Sequence, residues 1–349
     1  MSLTIYIRAH NFQPDFSNLI NVFERKNPNR PTLFEFALND NLIGKLSGVV
    51  SYDNANRLAQ FTRIISAFNN AGYDYTTISG WRTNTLKFPK AEGEMKESIS
   101  QNTGCMITDW ESFEKYLWPN PNEGDYDIYS DLKEFLPDGM KLIASGNGGV
   151  LENVIDIVGF ENLCLLTLMD EELTTNIFDA VGSRFLRFYE ITSQIETIGA
   201  CIVNDDWGFK NQTILSPEML RRWVFPWHKK IVQAVHSAGK FAVLHSCGEI
   251  NDVMNDVIYD MSYDAKHSFE DLIIPVEEAF DKWSTKIAIL GGIDLDFLAR
   301  SSIEEISNRS KAMLKRCEIT GSYALGSGNS IPNYIPDEKY LAMISAVNN

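Results

Sequence analysis

The chain is short of cysteine, of basic residues and of long apolar runs, and each shortage narrows what it can be. Its five cysteines, Cys105, Cys164, Cys201, Cys247 and Cys317, are odd in number and widely scattered. That argues against a disulfide framework and leaves reduced thiols for chemistry. No apolar run approaches the roughly 18 residues of a membrane span, and the opening MSLTIYIRAHN shows neither a basic nor an apolar targeting region. A cytoplasmic protein with no membrane association is expected. Basic residues number 31 against 47 acidic ones, a formal net charge of −16 over 349 residues. Such a surface repels polyphosphates, so nucleic acid is not an expected partner, and a polyanionic substrate would need a local basic pocket. Phosphate loops are missing too. The glycine-rich SGNGG (145–149) and GSGNS (326–330) have neither phosphate-loop register nor a lysine in reach, and read as tight turns. No repeat, low-complexity run or linker divides the chain, so a single domain over 1–349 is the expected organisation.

What is present is alternation. Short β-rich runs at 32–36, 75–79, 140–145, 200–204, 241–245, 263–267, 287–290 and 322–325 are separated by amphipathic stretches such as 54–71, 171–198, 216–238, 271–283 and 302–316. Ser216, Pro217 and Glu218 form a helix start, Gly239 suits a helix end, and Pro226 predicts a kink between them. Strands alternating with helices imply parallel βαβ units, and eight of them predict an α/β fold closed as a (β/α)8 TIM barrel. The polar stretch 87–101 and the acidic PNPNEGDYD read as exposed loops. In a barrel, reactive side chains gather where apolar runs end.

The sharpest such ending is KFAVLHSCGE. If the strand persists, His245 and Cys247 fall on one side of it and can share an ion, an imidazole and thiolate pair that suits zinc; the alternative is a hydrogen-bonded histidine beside an inert cysteine. In CIVNDDWGF, adjacent Asp205 and Asp206 point to opposite sides, so one faces the barrel mouth while the other caps a loop or helix. Asp206, with Asp294 of ILGGIDLD, is the candidate catalytic carboxylate; Asp294 also reads as an N-cap. Glu35, His267 and Glu270 follow further apolar runs, the latter two as supports for ligands or as partners of each other. Expected substrate contacts at the strand ends are Trp81, Asn147, Trp207, His267 and Asn329.

Taken together, segments such as NPNRPTLFEF, NDDWGFKNQTILSPEMLRRWVFPWHKKIV, HSAGKFAVLHSCGEI, AILGGIDLDFL and GSGNSIPNYIPDEKYLAM resemble the uroporphyrinogen decarboxylase superfamily, and within it the corrinoid-dependent methyltransferases. The resemblance spans most of the chain and implies a (β/α)8 barrel of that type. Decarboxylases of the superfamily carry an Arg-rich segment near the start, an aspartate in an F-S-D-I-L-like strand end and a histidine in a G-H-G-I turn. Here the first run continues as EFALND, Gly80 stands in ISGW and Ser327 in LGSGNSI, so decarboxylation of an eight-carboxylate tetrapyrrole is not expected. Zinc methyltransferases of the superfamily follow His-x-Cys with a later cysteine in a G-C turn. This chain matches with His245 and Cys247 but has Gly328-Asn329 at the turn. Either an oxygen ligand from Glu35, Asp206, Glu249 or Glu270 completes the site, or the site is degenerate. The resemblance thus implies a zinc-assisted transfer of a methyl group between a small methylated substrate and a corrinoid protein as partner; the alternatives are the disfavoured decarboxylase-type activity and a catalytically lapsed barrel that only binds a small ligand.

Overall fold

The computed structural model describes residues 12–49, 56–90 and 105–348. The opening segment, and the expected loop 87–101 from residue 91 onward, lie outside the described residues. Among them, seven parallel strands pair in chain order: β1 (Tyr75–Ser79), β2 (Lys141–Ser145), β3 (Ile198–Asn204), β4 (Phe241–His245), β5 (Ala265–His267), β6 (Ala288–Leu290) and β7 (Tyr323–Ala324). Each crossover carries helix, as parallel pairing demands. The strands are buried along nearly their whole length, as expected for a sheet covered on both faces.

The expected eighth strand, at 32–36, is reduced to a single parallel bridge, Leu33 to Leu325. Phe34 N–H donates to the Leu325 carbonyl and Leu325 N–H to that of Thr32, so the segment docks beside β7. No ladder joins it to β1 on its other side. The reason is local: the Tyr75 hydroxyl of β1 accepts from Glu35 N–H and donates to the Glu35 carbonyl, both at 2.7 Å, and thereby takes the backbone groups that a ladder would use. The sheet is curled and parallel, with an unladdered seam between the first segment and β1.

Two smaller expectations also change. At the proline expected to kink the helix, the helical run from Pro217 to Ser237 is unbroken but irregular: a π-helical turn, Leu220–Val224, joins Pro217–Met219 to Phe225–Ser237 directly before Pro226. The acidic stretch near Asn120 contains the 3-10 turn Pro121–Glu123, capped by the Asn120 side chain, and the helix Asp127–Asp131. No helix among the described residues is long and apolar enough to cross a membrane.

Candidate functional site

The C-terminal ends of β3, β4 and β5 are neighbours, and their register aligns Asn204 with His245 and His245 with His267. The loops leaving β3 and β4 then run against each other. Gly248 has φ +80°, and a Cβ on it would lie 2.0 Å from the Gly208 carbonyl oxygen, so only glycine permits this approach. Cys247 N–H donates to Asp206 Oδ1 at 2.8 Å and Glu249 N–H to the Phe209 carbonyl at 2.7 Å, pinning the two loops. One ligand atom from each of Asp206, His245 and Cys247 therefore falls within 4.8 Å of the others.

The adjacent aspartates, just past the end of β3, part company as expected. Asp205 is fully buried, takes Leu151 and Glu152 N–H at the start of the helix Val150–Val158, and pairs with His228 Nε2 at 2.9 Å; His228 Nδ1 reaches the Tyr263 hydroxyl at 2.7 Å. Asp206 alone turns to the site.

Hydrogen bonding fixes which nitrogen His245 offers. His267 Nε2 donates to the Ser327 carbonyl at 3.1 Å, so its Nδ1 carries the lone pair. His245 Nδ1, 2.8 Å away, must then be the donor. That leaves His245 Nε2 unprotonated, 3.7 Å from Cys247 Sγ. Both rings are buried, and burial pushes both downward, His267 to about 3 and His245 well below the usual histidine range. They are neutral, as this arrangement needs. The sulfur receives donors as well: Asn329 Nδ2 at 3.2 Å and Ser268 Oγ at 3.7 Å.

Burial also drives Cys247 and Asp206 upward, toward their neutral forms. The nearby cation, Lys266, is directed elsewhere: its ammonium donates to the carbonyls of Ser246 and Ser268, the former at 3.4 Å, and lies 4.1 Å from the centre of the Phe269 ring. Burial lowers Lys266 to about 8. A thiol, a carboxyl group and an imidazole lone pair, gathered and desolvated, form a donor set that a divalent cation completes, because the ion reverses the protonation preference of the acid and the thiol. The set of N, S and O donors fits zinc and has the three-ligand count of its catalytic sites.

Other expected residues fall nearby or elsewhere. Phe36 stacks on His245 with ring centres 4.3 Å apart, and half-exposed Trp81 packs its edge on Phe36 at 5.7 Å, so Trp81 stands one ring away from the metal-binding group. Asn147 lies in the loop after β2, where its carbonyl accepts from Asn153. Trp207 is fully buried against His228 and Phe225, within the fold. Glu35 is absent from the metal-binding group: Ser327 N–H and the Ser327 side chain occupy its carboxyl oxygens at 2.8 and 2.6 Å. Glu270 is likewise outside that group. It lines a small cavity behind the site with Lys266, Ser268 and Asn251, and does not pair with His267, whose partners are His245 and Ser327. Glu249 holds Asn251. Asp294 is the N-cap of Leu295–Arg300, one oxygen on Phe297 N–H and the other on Asp271 N–H. Lys266 was missed in the sequence, although a lysine between Ala265 and His267 in a buried run was a visible anomaly.

The sequence matches the family model for uroporphyrinogen decarboxylase over residues 107–349. The chain belongs to the uroporphyrinogen decarboxylase family. No curated protein matches it. Among solved structures it is similar to a methyltransferase from Methanosarcina mazei, at 15% identity and a TM-score of 0.75, with 95% of this chain and 97% of that chain covered. A β-glycosidase from Thermosphaera aggregans aligns with 84% of this chain and 85% of its own, at 10% identity and a TM-score of 0.47. The first likeness shows the fold that this chain shares with the methyltransferase.

Proposed function

We propose that this chain is a methyltransferase of the uroporphyrinogen decarboxylase family, moving a methyl group between a small methylated compound (a methoxy compound, a methylamine or a relative of these) and a corrinoid held by a partner protein. In this reading the sheet, together with the first segment, is a (β/α)8 barrel forming one cytoplasmic catalytic domain, and the corrinoid protein approaches the strand ends where the site lies. The observation that carries it is the convergence of Asp206, His245 and Cys247, with His245 Nε2 left unprotonated by His267. Bound there, zinc supplies Lewis acidity toward the heteroatom that bears or receives the methyl group.

The protein's own part is arrangement. Asp206, His245 and Cys247 would hold the ion, and the Asn329 and Ser268 donors steady the sulfur. Phe36 covers one face of His245, and Trp81 beyond it offers an aromatic edge of the mouth to a substrate. Decarboxylation of uroporphyrinogen is not part of this reading. A Cβ at Gly80, where the resemblance puts the decarboxylase aspartate, would lie 2.3 Å from the Asn147 backbone nitrogen, so the site has no room for that acid. Ser327, at the position of the decarboxylase histidine, is engaged by Glu35.

Metal analysis of protein purified without chelator tests this, with about one zinc per chain expected and a sharp fall in His245→Ala and Cys247→Ser. Zinc content equal in all three proteins, with no methylation of added cob(I)alamin by methoxy or methylamine donors, overturns the proposal.

A further inference from the structure

We propose that residues 327–329 act as one clamp on the metal site, in which Asn329 is a positioning residue that donates to the Cys247 sulfur, and Ser327 fixes His245 through His267. The inference rests on the metal-binding reading above and adds how the two softer ligands are aimed.

The orientation of the Asn329 amide is decided by its other end. Ser330 N–H donates to Asn329 Oδ1 at 2.7 Å, which leaves the NH2 group facing Cys247 Sγ at 3.2 Å. The sulfur thus meets a donor, and a donor is matched to a thiolate held on a metal. Asn329, at the place where the resemblance puts a third ligand, supports a ligand. Asp206, from the loop after β3, supplies the oxygen donor in its stead.

The segment has little freedom to drift. Ser327 O accepts from Gly292 N–H at 2.8 Å as well as from His267, while Gly328 N–H donates to the Ile293 carbonyl at 2.7 Å and the Gly328 carbonyl accepts from Phe269 N–H at 3.1 Å. A Cβ on Gly328 would lie 2.2 Å from the Phe269 carbonyl oxygen, so position 328 is closed to any side chain. At its start the segment is tied to Glu35. The Ser327 hydroxyl has one hydrogen and two oxygen partners, the Asn329 carbonyl and Glu35 Oε2. A carbonyl only accepts, so the serine donates to Asn329 and the Glu35 carboxyl group donates to the serine. Glu35 is therefore a neutral acid that fastens the clamp, and glutamine, with one acceptor and one donor group, can reproduce both of its bonds.

Cobalt(II) titration of the metal-free full-length chain tests this, read by the thiolate-to-cobalt charge-transfer band and by affinity. Asn329→Ala and Asn329→Leu are expected to bind cobalt about 10- to 100-fold more weakly than the unaltered chain. Their charge-transfer band should move to longer wavelength, because a sulfur without its donor holds its electrons less tightly. Glu35→Gln should keep affinity and band, whereas Glu35→Ala should weaken binding and shift the band as the Asn329 variants do. Thermal melting of the metal-free proteins identifies any variant that fails to fold. Absence of a charge-transfer band in the unaltered chain would overturn the metal-binding reading and the clamp with it. A normal band, unchanged in wavelength and affinity in a folded Asn329→Ala protein, would overturn the clamp alone and leave the metal reading standing.

Discussion

Glu35→Gln should change how stability depends on pH, because Glu35 is a carboxylic acid held neutral in the interior. It is fully buried, and burial, partly offset by the bond from Ser327 N–H, raises it from its ordinary 4.5 to about 8. Below pH 4.5 both folded and unfolded chains hold the proton. Between 4.5 and 8 the unfolded chain releases it and the folded chain keeps it, so stability falls as pH rises. Above 8 both have lost it and the dependence ends. The slope is about 1.4 kcal/mol per pH unit for one proton, which over the window sets a ceiling of about 5 kcal/mol. Glutamine has the same shape and no proton to lose. Denaturant unfolding of both proteins at intervals from pH 5 to 9 isolates the effect, since other groups cancel in the difference. The unaltered chain should lose stability relative to Glu35→Gln up to about pH 8 and then run level with it. Parallel profiles across the whole range would show that Glu35 is ionised in the fold, and would remove the argument that it donates to Ser327.

Asp294→Ala should cost about 1 to 2 kcal/mol of stability, through the lost cap on Leu295–Arg300 and the unpaired Asp271 N–H, and leave methyl transfer nearly intact; a large loss of activity at unchanged stability would restore it as a catalytic group. Incubation with uroporphyrinogen should yield no coproporphyrin. Gly80→Asp should not create that activity but should destabilise the fold by about 3 kcal/mol or more, because its Cβ meets the 146–147 backbone; a stable Gly80→Asp protein in a thermal melt would show that this loop yields.

Where each strand ends was legible because apolar runs stop abruptly, and His245, Cys247 and Asp206 were visible for the same reason. The parting of Asp205 from Asp206 was expected from strand alternation, although both residues lie just past the end of β3. What could not be read is which distant backbone group completes each polar side chain. Glu35 looks like a free carboxylate in the sequence, and only the fold brings Ser327 to it; the N-cap role of Asp294 was legible, but not that its second oxygen takes Asp271 N–H. Asn329 looks like a defect in a ligand set until the Ser330 N–H on its oxygen shows which way its amide faces. The first strand was missed as a bridge because a hydroxyl forty residues away takes the place of a neighbouring backbone, a substitution with no periodic signature.

That hydroxyl makes the sheet a split ring with a phenol for its clasp. The three metal-binding residues come from the end of β4 and the loops that follow β3 and β4, in the unbroken arc across from the split. Residues 327–329 and their anchor Glu35 belong to its lip, beside the clasp. The groups that aim the ligands thus sit at the split, while the ladder registers that carry His245 and His267 lie away from it.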